Sequence, residues 1–180
     1  FKKLGFKCVM ACDNNSYCRD TYYSNYGIKP LGDICDIDPT NIENYDIVCA
    51  GFPCQPFSQA GKKRGFDDER GTMFEQVMKF VRFNKPPFVI LENVQGLLKH
   101  DHGKSFDKIK NTLEKEGYNI NYRVLKCSDY GIPQMRKRLF IIASRIYDIS
   151  KIFDMEEYKK CVTLSEHLGK DFQKDVAYTI

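Results

Sequence analysis

The chain has 180 residues, a formal net charge of +4, and 42% hydrophobic and 29% charged residues. That is enough chain to bury a core, and its mild basicity permits a polyanionic partner without demanding one. No apolar run approaches the roughly 20 residues of a membrane span, and no signal peptide opens the sequence, so a membrane partner is not expected. The eight cysteines (8, 12, 18, 35, 49, 54, 127 and 161) contain no C-x-x-C pair. They read as reduced thiols of a cytosolic or nuclear, non-secreted protein, neither a disulfide framework nor a metal site.

Taken in order, Phe6-Lys7-Cys8-Val9-Met10-Ala11 is a short strand candidate, and the polar-aromatic stretch from Asp13 to Tyr26 a helix stopped by Gly27. Tyr45-Asp46-Ile47-Val48-Cys49-Ala50 is apolar or small at five of six positions and reads as a buried strand. Gly51-Phe52-Pro53-Cys54-Gln55-Pro56-Phe57-Ser58 follows it, with prolines on both sides of Cys54-Gln55 that forbid helix and ladder pairing. Cys54 is then held on a stiff loop beyond the strand's carboxyl end. Open α/β sheets bind ligands at that edge, although a buried, unreactive thiol is an equal reading of the loop alone.

Thr72 and Glu75 form a T-x-x-E capping box, and Met73, Val77, Phe80 and Val81 give the helix behind it an apolar face that ends at Asn84-Lys85-Pro86-Pro87. Phe88-Val89-Ile90-Leu91 is an apolar strand running to Glu92-Asn93-Val94. The spacing of Phe106, Ile109 and Leu113 predicts a helix from Lys104 to Glu116, capped by Gly117. Tyr122-Arg123-Val124-Leu125 and Leu139-Phe140-Ile141-Ile142-Ala143 are the last strands, with a loop over Tyr130 to Arg138 between them. The alternation implies an α/β fold, a mostly parallel sheet with helices on both faces. Residues 1–150 read as one domain and residues 151–180 as the start of a variable region, with a charged surface stretch from Asp154 to Lys160 and an extended segment over Val176 to Ile180.

Asp13, Cys54 and Glu92 each fall just after a predicted strand, so a parallel sheet would gather them at one edge. A thiol beside a carboxylic acid suits attack on an electron-poor ring or acyl carbon, with the acid protonating the atom that gathers charge. A cysteine hydrolase would need a histidine base, and His100, His102 and His167 have no motif around them. Glu92 alone reads equally well as a structural carboxylate capping the next helix.

Gly51 to Ser58, Asp68-Glu69-Arg70-Gly71, Glu92-Asn93-Val94 and Tyr130-Gly131-Ile132-Pro133-Gln134-Met135-Arg136-Lys137-Arg138 resemble, in order and spacing, the motifs of the DNA cytosine-5 methyltransferases. The resemblance covers about residues 4 to 144. It implies a Rossmann-like S-adenosylmethionine-dependent methyltransferase fold, here truncated, acting on double-stranded DNA, with transfer RNA as the alternative substrate of one branch of the family. A non-catalytic nucleic-acid interaction module is the rival of a different class.

By the same resemblance Cys54 is the nucleophile toward carbon 6 of a flipped cytosine, Glu92 holds ring nitrogen 3 and the exocyclic amine, and Arg136 and Arg138 line the active site. Asp13, Asp33, Ile34 and Pro53 match cofactor-binding positions, with Asp13 standing where the family usually has Glu. Gln55, Ser58, Asn93 and Gln134 are carried over as substrate contacts, Ser58 to phosphate; apart from the resemblance, the basic Lys62, Lys63 and Arg64 are suited to further phosphate contacts that position without specifying. The family's first, glycine-rich motif would lie upstream of Phe1, and its target-recognition domain and Gly-Asn motif after Ile180. The sequence therefore reads as a fragment of a longer chain.

Overall fold

A computed structural model describes residues 4–53 and 73–154. Helix α1 spans Ser16–Tyr26. The side chain of Asn15 accepts hydrogen bonds from the backbone N–H groups of Tyr17 and Cys18, and Gly27, in the left-handed conformation, closes the other end by donating to the Tyr23 carbonyl. No α1 residue is buried. Strand β1 spans Ile47–Gly51, helix α2 Met73–Asn84, strand β2 Phe88–Val94, helix α3 Lys104–Lys115, strand β3 Asn119–Lys126 and strand β4 Lys137–Ser144. The capping residue expected for α2, Thr72, lies outside the described residues.

The strands form one sheet in the order β1-β2-β4-β3. β1 and β2 are parallel, whereas β4 runs antiparallel to both β2 and β3. The described sheet is therefore mixed, not mostly parallel. The physical reason is the β3–β4 connection, which carries one 3-10 turn over Cys127–Tyr130 and no crossover helix, so β4 returns alongside β3.

One core sits against a single face of this sheet. Alternate residues Val89 and Leu91 of β2, and Leu139, Ile141 and Ala143 of β4, are buried. They meet Phe74, Val77, Met78 and Val81 of α2 and Phe106, Ile109 and Leu113 of α3. The helical spacing anticipated the three α3 residues and Val77 and Val81, but not Phe74 and Met78, which take core places beside a partly buried Met73. Both core-forming helices among the described residues thus cover the same face, where the alternation had suggested one on each. Each fully buried side chain of this kind contributes roughly 1.5–3 kcal/mol of burial free energy, so this cluster is the rigid base for whatever the sheet edge carries.

Phe6–Ala11 does not form a strand. The Leu31 N–H donates to the Ala11 carbonyl at 2.8 Å and the Asp13 N–H to the Leu31 carbonyl at 3.2 Å, one isolated parallel bridge. A strand needs a ladder, and the described residues supply only Leu31. Beyond β4, Ile149 and Phe153 are buried, while the Asn121 amide donates to the carbonyls of Ile149 and Ser150 at 2.9 Å and Arg123 to that of Phe153. This segment lies along the outer edge of β3. No described helix is long and apolar enough to cross a membrane.

Candidate active site

β2 runs further than its apolar run, because backbone pairing continues through the polar residues Glu92 and Asn93. Glu92 is consequently inside the strand, paired with Gly51 on one side and Phe140 on the other, and not just past its end. Residues paired across a sheet share a face, so Gly51, Glu92 and Phe140 share one. Arg138, two residues before Phe140, is on that face as well and reaches Glu92 diagonally: its Nε lies 2.8 Å from Oε1. A second guanidinium nitrogen of Arg138 donates to the Lys137 carbonyl at 2.9 Å. The absence of a side chain at Gly51 leaves room for the other carboxylate oxygen, since a Cβ built there would stand 3.3 Å from Glu92 Oε2.

Asn93 points to the opposite, core face and is buried. Its Nδ2 donates to the Phe52 carbonyl at 2.6 Å and its Oδ1 accepts the Val94 N–H at 2.9 Å. The Phe52 ring is buried against Phe74 at the start of α2, centroid to centroid 5.7 Å. β1 therefore delivers the chain to Pro53 from a residue held at both its backbone and its ring.

A cavity of about 490 Å³ opens beside β1. Asp13, Asp33, Ile34 and Pro53, read separately from the sequence, all line it, together with Cys12 and Phe52. Asp13 accepts the Asn15 N–H at 2.8 Å, and Asp33 accepts the Cys35 N–H at 2.9 Å, which orients each carboxylate. Burial, then the negative charges of Asp13 and Asp33, push the Cys12 thiol pKa up. Both carboxylates therefore act on the same space.

The remaining candidates divide. Gln134 is half-buried in the loop before β4, its N–H donating to the Ile132 carbonyl at 2.7 Å. Arg136 is exposed, and its carbonyl accepts the Cys127 N–H at 3.0 Å. Among the described ion pairs only Arg138 reaches Glu92, although an extended segment points both arginines the same way. Cys54, Gln55, Ser58, Lys62, Lys63 and Arg64 lie outside the described residues. Sequence reasoning missed Phe52 and Gly51 as parts of the site. The signal for Phe52 was its period-two spacing from Val48 and Ala50, which continues the core face of β1.

This sheet, with its cavity beside β1 and the Glu92 carboxylate within β2, belongs to the Rossmann-like methyltransferase class. The S. pombe Dnmt2 methyltransferase superposes with a TM-score of 0.63 at 22% identity, over 86% of this chain and 49% of its own. A structure described as a DNA modification methyltransferase encoded within an E. coli prophage superposes with a TM-score of 0.71 at 26% identity, over 91% of this chain and 48% of its own.

In sequence, the family model for C-5 cytosine-specific DNA methylase matches residues 1–176. The type II methyltransferase M.MspI of Moraxella sp is 40% identical over 177 residues, 98% of this chain and 41% of the relative. M.HhaI of Haemophilus parahaemolyticus is 38% identical over 188 residues, 99% of this chain and 57% of the relative. The chain belongs to the C-5 cytosine-specific DNA methylase family. It spans about half the length of the curated relatives it matches.

Proposed function

We propose that the protein to which this chain belongs methylates carbon 5 of cytosine in double-stranded DNA through a transient bond between Cys54 and carbon 6, as the modification enzyme of a restriction-modification pair. The observation that carries this reading is the fixed Glu92 carboxylate, braced by Arg138 and given room by its register partner Gly51, which lies three residues before Cys54 in the sequence.

The residues around the cavity suit S-adenosylmethionine. Its volume lies within the 300–1,000 Å³ usual for cofactor sites, about 490 Å³ here. The Asp13 and Asp33 carboxylates match the hydroxyl and amine donors of an adenosine, and Ile34 and Phe52 supply apolar wall. When bound, S-adenosylmethionine supplies the electrophilic methyl group that ends on carbon 5.

The protein's own part begins with the thiolate of Cys54 adding to carbon 6, which shifts the 5,6 double-bond electrons and makes carbon 5 nucleophilic. Glu92, carrying a proton into the complex, donates it to ring nitrogen 3 and accepts from the exocyclic amine, which neutralises the negative charge that sulfur addition places on the ring; the proton returns to Glu92 when the aromatic ring is restored. After methylation, carbon 5 loses its proton to a base and the bond from sulfur to carbon 6 breaks, restoring the double bond and the thiolate. Carbon 6 is inaccessible in a base stack, so the cytosine is flipped out before attack. Gln134, Arg136 and the 55–58 segment are read as contacts to the extruded nucleotide and its phosphates.

The test is covalent trapping by the full-length protein, with S-adenosylmethionine and a duplex carrying 5-fluorocytosine. Fluorine does not leave as a proton does, so the adduct persists through denaturation. A complex formed by the wild type and lost in Cys54→Ala is expected. Methyl transfer to transfer RNA but not to duplex DNA, or binding of nucleic acid without methyl transfer, would overturn the reading.

A further inference from the structure

We infer that Asn93 is a positioning residue of this site: its side-chain amide fixes the backbone from which Cys54 follows, and it is not a contact to the nucleic acid. The inference rests on the roles proposed above for Cys54 and Glu92.

The parallel register of β1 and β2 ends with Gly51 opposite Glu92. One further step sets Phe52 beside Asn93, and there a side-chain bond takes over from the backbone ladder, with Asn93 Nδ2 donating to the Phe52 carbonyl at 2.6 Å. The other end of the amide is also used, because Oδ1 accepts the Val94 N–H. With 4% exposure, and on the face opposite Glu92, Asn93 has no polar atom to offer a base held by that carboxylate.

What it does hold is consequential. The Phe52 ring is anchored by Phe74 and its carbonyl by Asn93, so one side chain and one peptide are fixed immediately before Pro53. Proline restricts the next φ to about −65°. Phe52 and Pro53 are thus the last described points of the chain before Cys54, and they follow directly on the pairing of Gly51 with Glu92. Restricting backbone freedom is how a scaffold raises the rate of a step between two of its groups. Only an amide meets both demands at this point, since aspartate sets a carboxylate oxygen against the carbonyl and alanine leaves a buried acceptor without its donor.

The experiment compares wild type, Asn93→Asp and Asn93→Ala in the full-length protein, checked for folding by thermal melts. Aspartate is isosteric and keeps the acceptor for Val94 while removing the donor to Phe52. At saturating 5-fluorocytosine duplex, adduct formation near pH 8 is expected to fall about tenfold or more in both variants, with duplex affinity within about twofold of wild type. Lowering the pH toward about 6 restores the aspartate variant relative to wild type, because a protonated carboxyl again donates to the Phe52 carbonyl. A tenfold loss of duplex affinity with an unchanged adduct rate at saturation would make Asn93 a substrate contact and overturn the inference.

A second readout needs no methyl transfer. Alkylation of Cys54 by iodoacetamide in the protein without DNA, followed on the Cys54 peptide by mass spectrometry, is expected to change by about threefold or more in either direction. Equal alkylation rates in wild type and both folded variants would overturn the positioning role. An absence of any wild-type adduct would count against the proposed reaction instead, and the alkylation rates would still decide for or against Asn93.

Discussion

Arg138 Nε lies 2.8 Å from Glu92 Oε1, and the two residues are diagonal neighbours on antiparallel strands, Arg138 pairing with Val94 and Glu92 with Phe140. Long side chains span that diagonal, which makes the contact a consequence of sheet register and not of loop conformation. The side chains are 24% and 35% exposed, so water screens the pair and its share of folding stability is below about 1 kcal/mol. Its larger effect is to hold one carboxylate oxygen while the other stands over the space left by Gly51.

Arg138→Gln is therefore expected to leave the melting temperature nearly unchanged and to slow methyl transfer. Removing a hydrogen bond to a charged group is worth about 1.5–3 kcal/mol, or roughly ten- to a hundredfold in rate. Single-turnover methylation beside a thermal melt checks both halves. Equal loss of stability and activity would mean that Arg138 serves the fold and not the carboxylate.

Gly51→Ala tests the space. The added Cβ would stand 3.3 Å from Glu92 Oε2, and Arg138 already holds the other oxygen, so the carboxylate must turn or the pair must lengthen. Methyl transfer should fall about tenfold, as small misplacements of a reacting group do, while the protein stays folded. A Gly51→Ala variant that methylates at the wild-type rate would show that the carboxylate has room to spare and that the space at Gly51 is not needed.

Parts of this site were legible in the sequence and parts were not, for a physical reason. Helical spacing identified Phe106, Ile109 and Leu113 because a helix buries residues by a local rule. Pairing is non-local. Nothing near Glu92 says that its strand continues past Leu91, that β4 returns antiparallel to it, or that Arg138 and not Arg136 reaches it. Phe6–Ala11 failed in the converse way, having strand-like composition but only Leu31 as a ladder partner among the described residues. Asp13 and Asp33 were read one by one from the sequence, and only the fold shows them lining one cavity.

Lys85 follows the last residue of α2 with a φ of 47°, and its N–H closes the helix on the Val81 carbonyl at 2.9 Å. Glycine adopts that left-handed conformation without a Cβ penalty, as Gly27 does after α1. Lys85→Gly should therefore stabilise the fold by roughly 0.5–1 kcal/mol once glycine's greater chain entropy is subtracted from the relief of strain. Urea unfolding at constant m-value measures it, and destabilisation would show that the lysine side chain contributes more than its backbone costs.

Tyr118 makes the fold pH-dependent at the alkaline end. Its ring is only 3% exposed, its hydroxyl donates to the Pro86 carbonyl at 2.8 Å, and Arg145 lies 5.7 Å over the ring. Burial outweighs the opposing pull of the Arg145 charge and pushes the phenol from 10.0 up to about 12. Below pH 10 the hydroxyl keeps its proton in both states and the bond contributes fully. Above it the unfolded chain releases the proton first, so the folded state binds more protons and stability falls as pH rises, by at most about 1.4 kcal/mol per pH unit, until the folded hydroxyl also titrates. Tyr118→Phe should be less stable than wild type by about 1–3 kcal/mol at neutral pH, because the Pro86 carbonyl loses its donor. That difference should shrink between pH 10 and 12. Paired denaturant titrations of the two proteins across this window, which cancel the titration of other groups, give the result; a constant difference would mean that the hydroxyl does not titrate with unfolding.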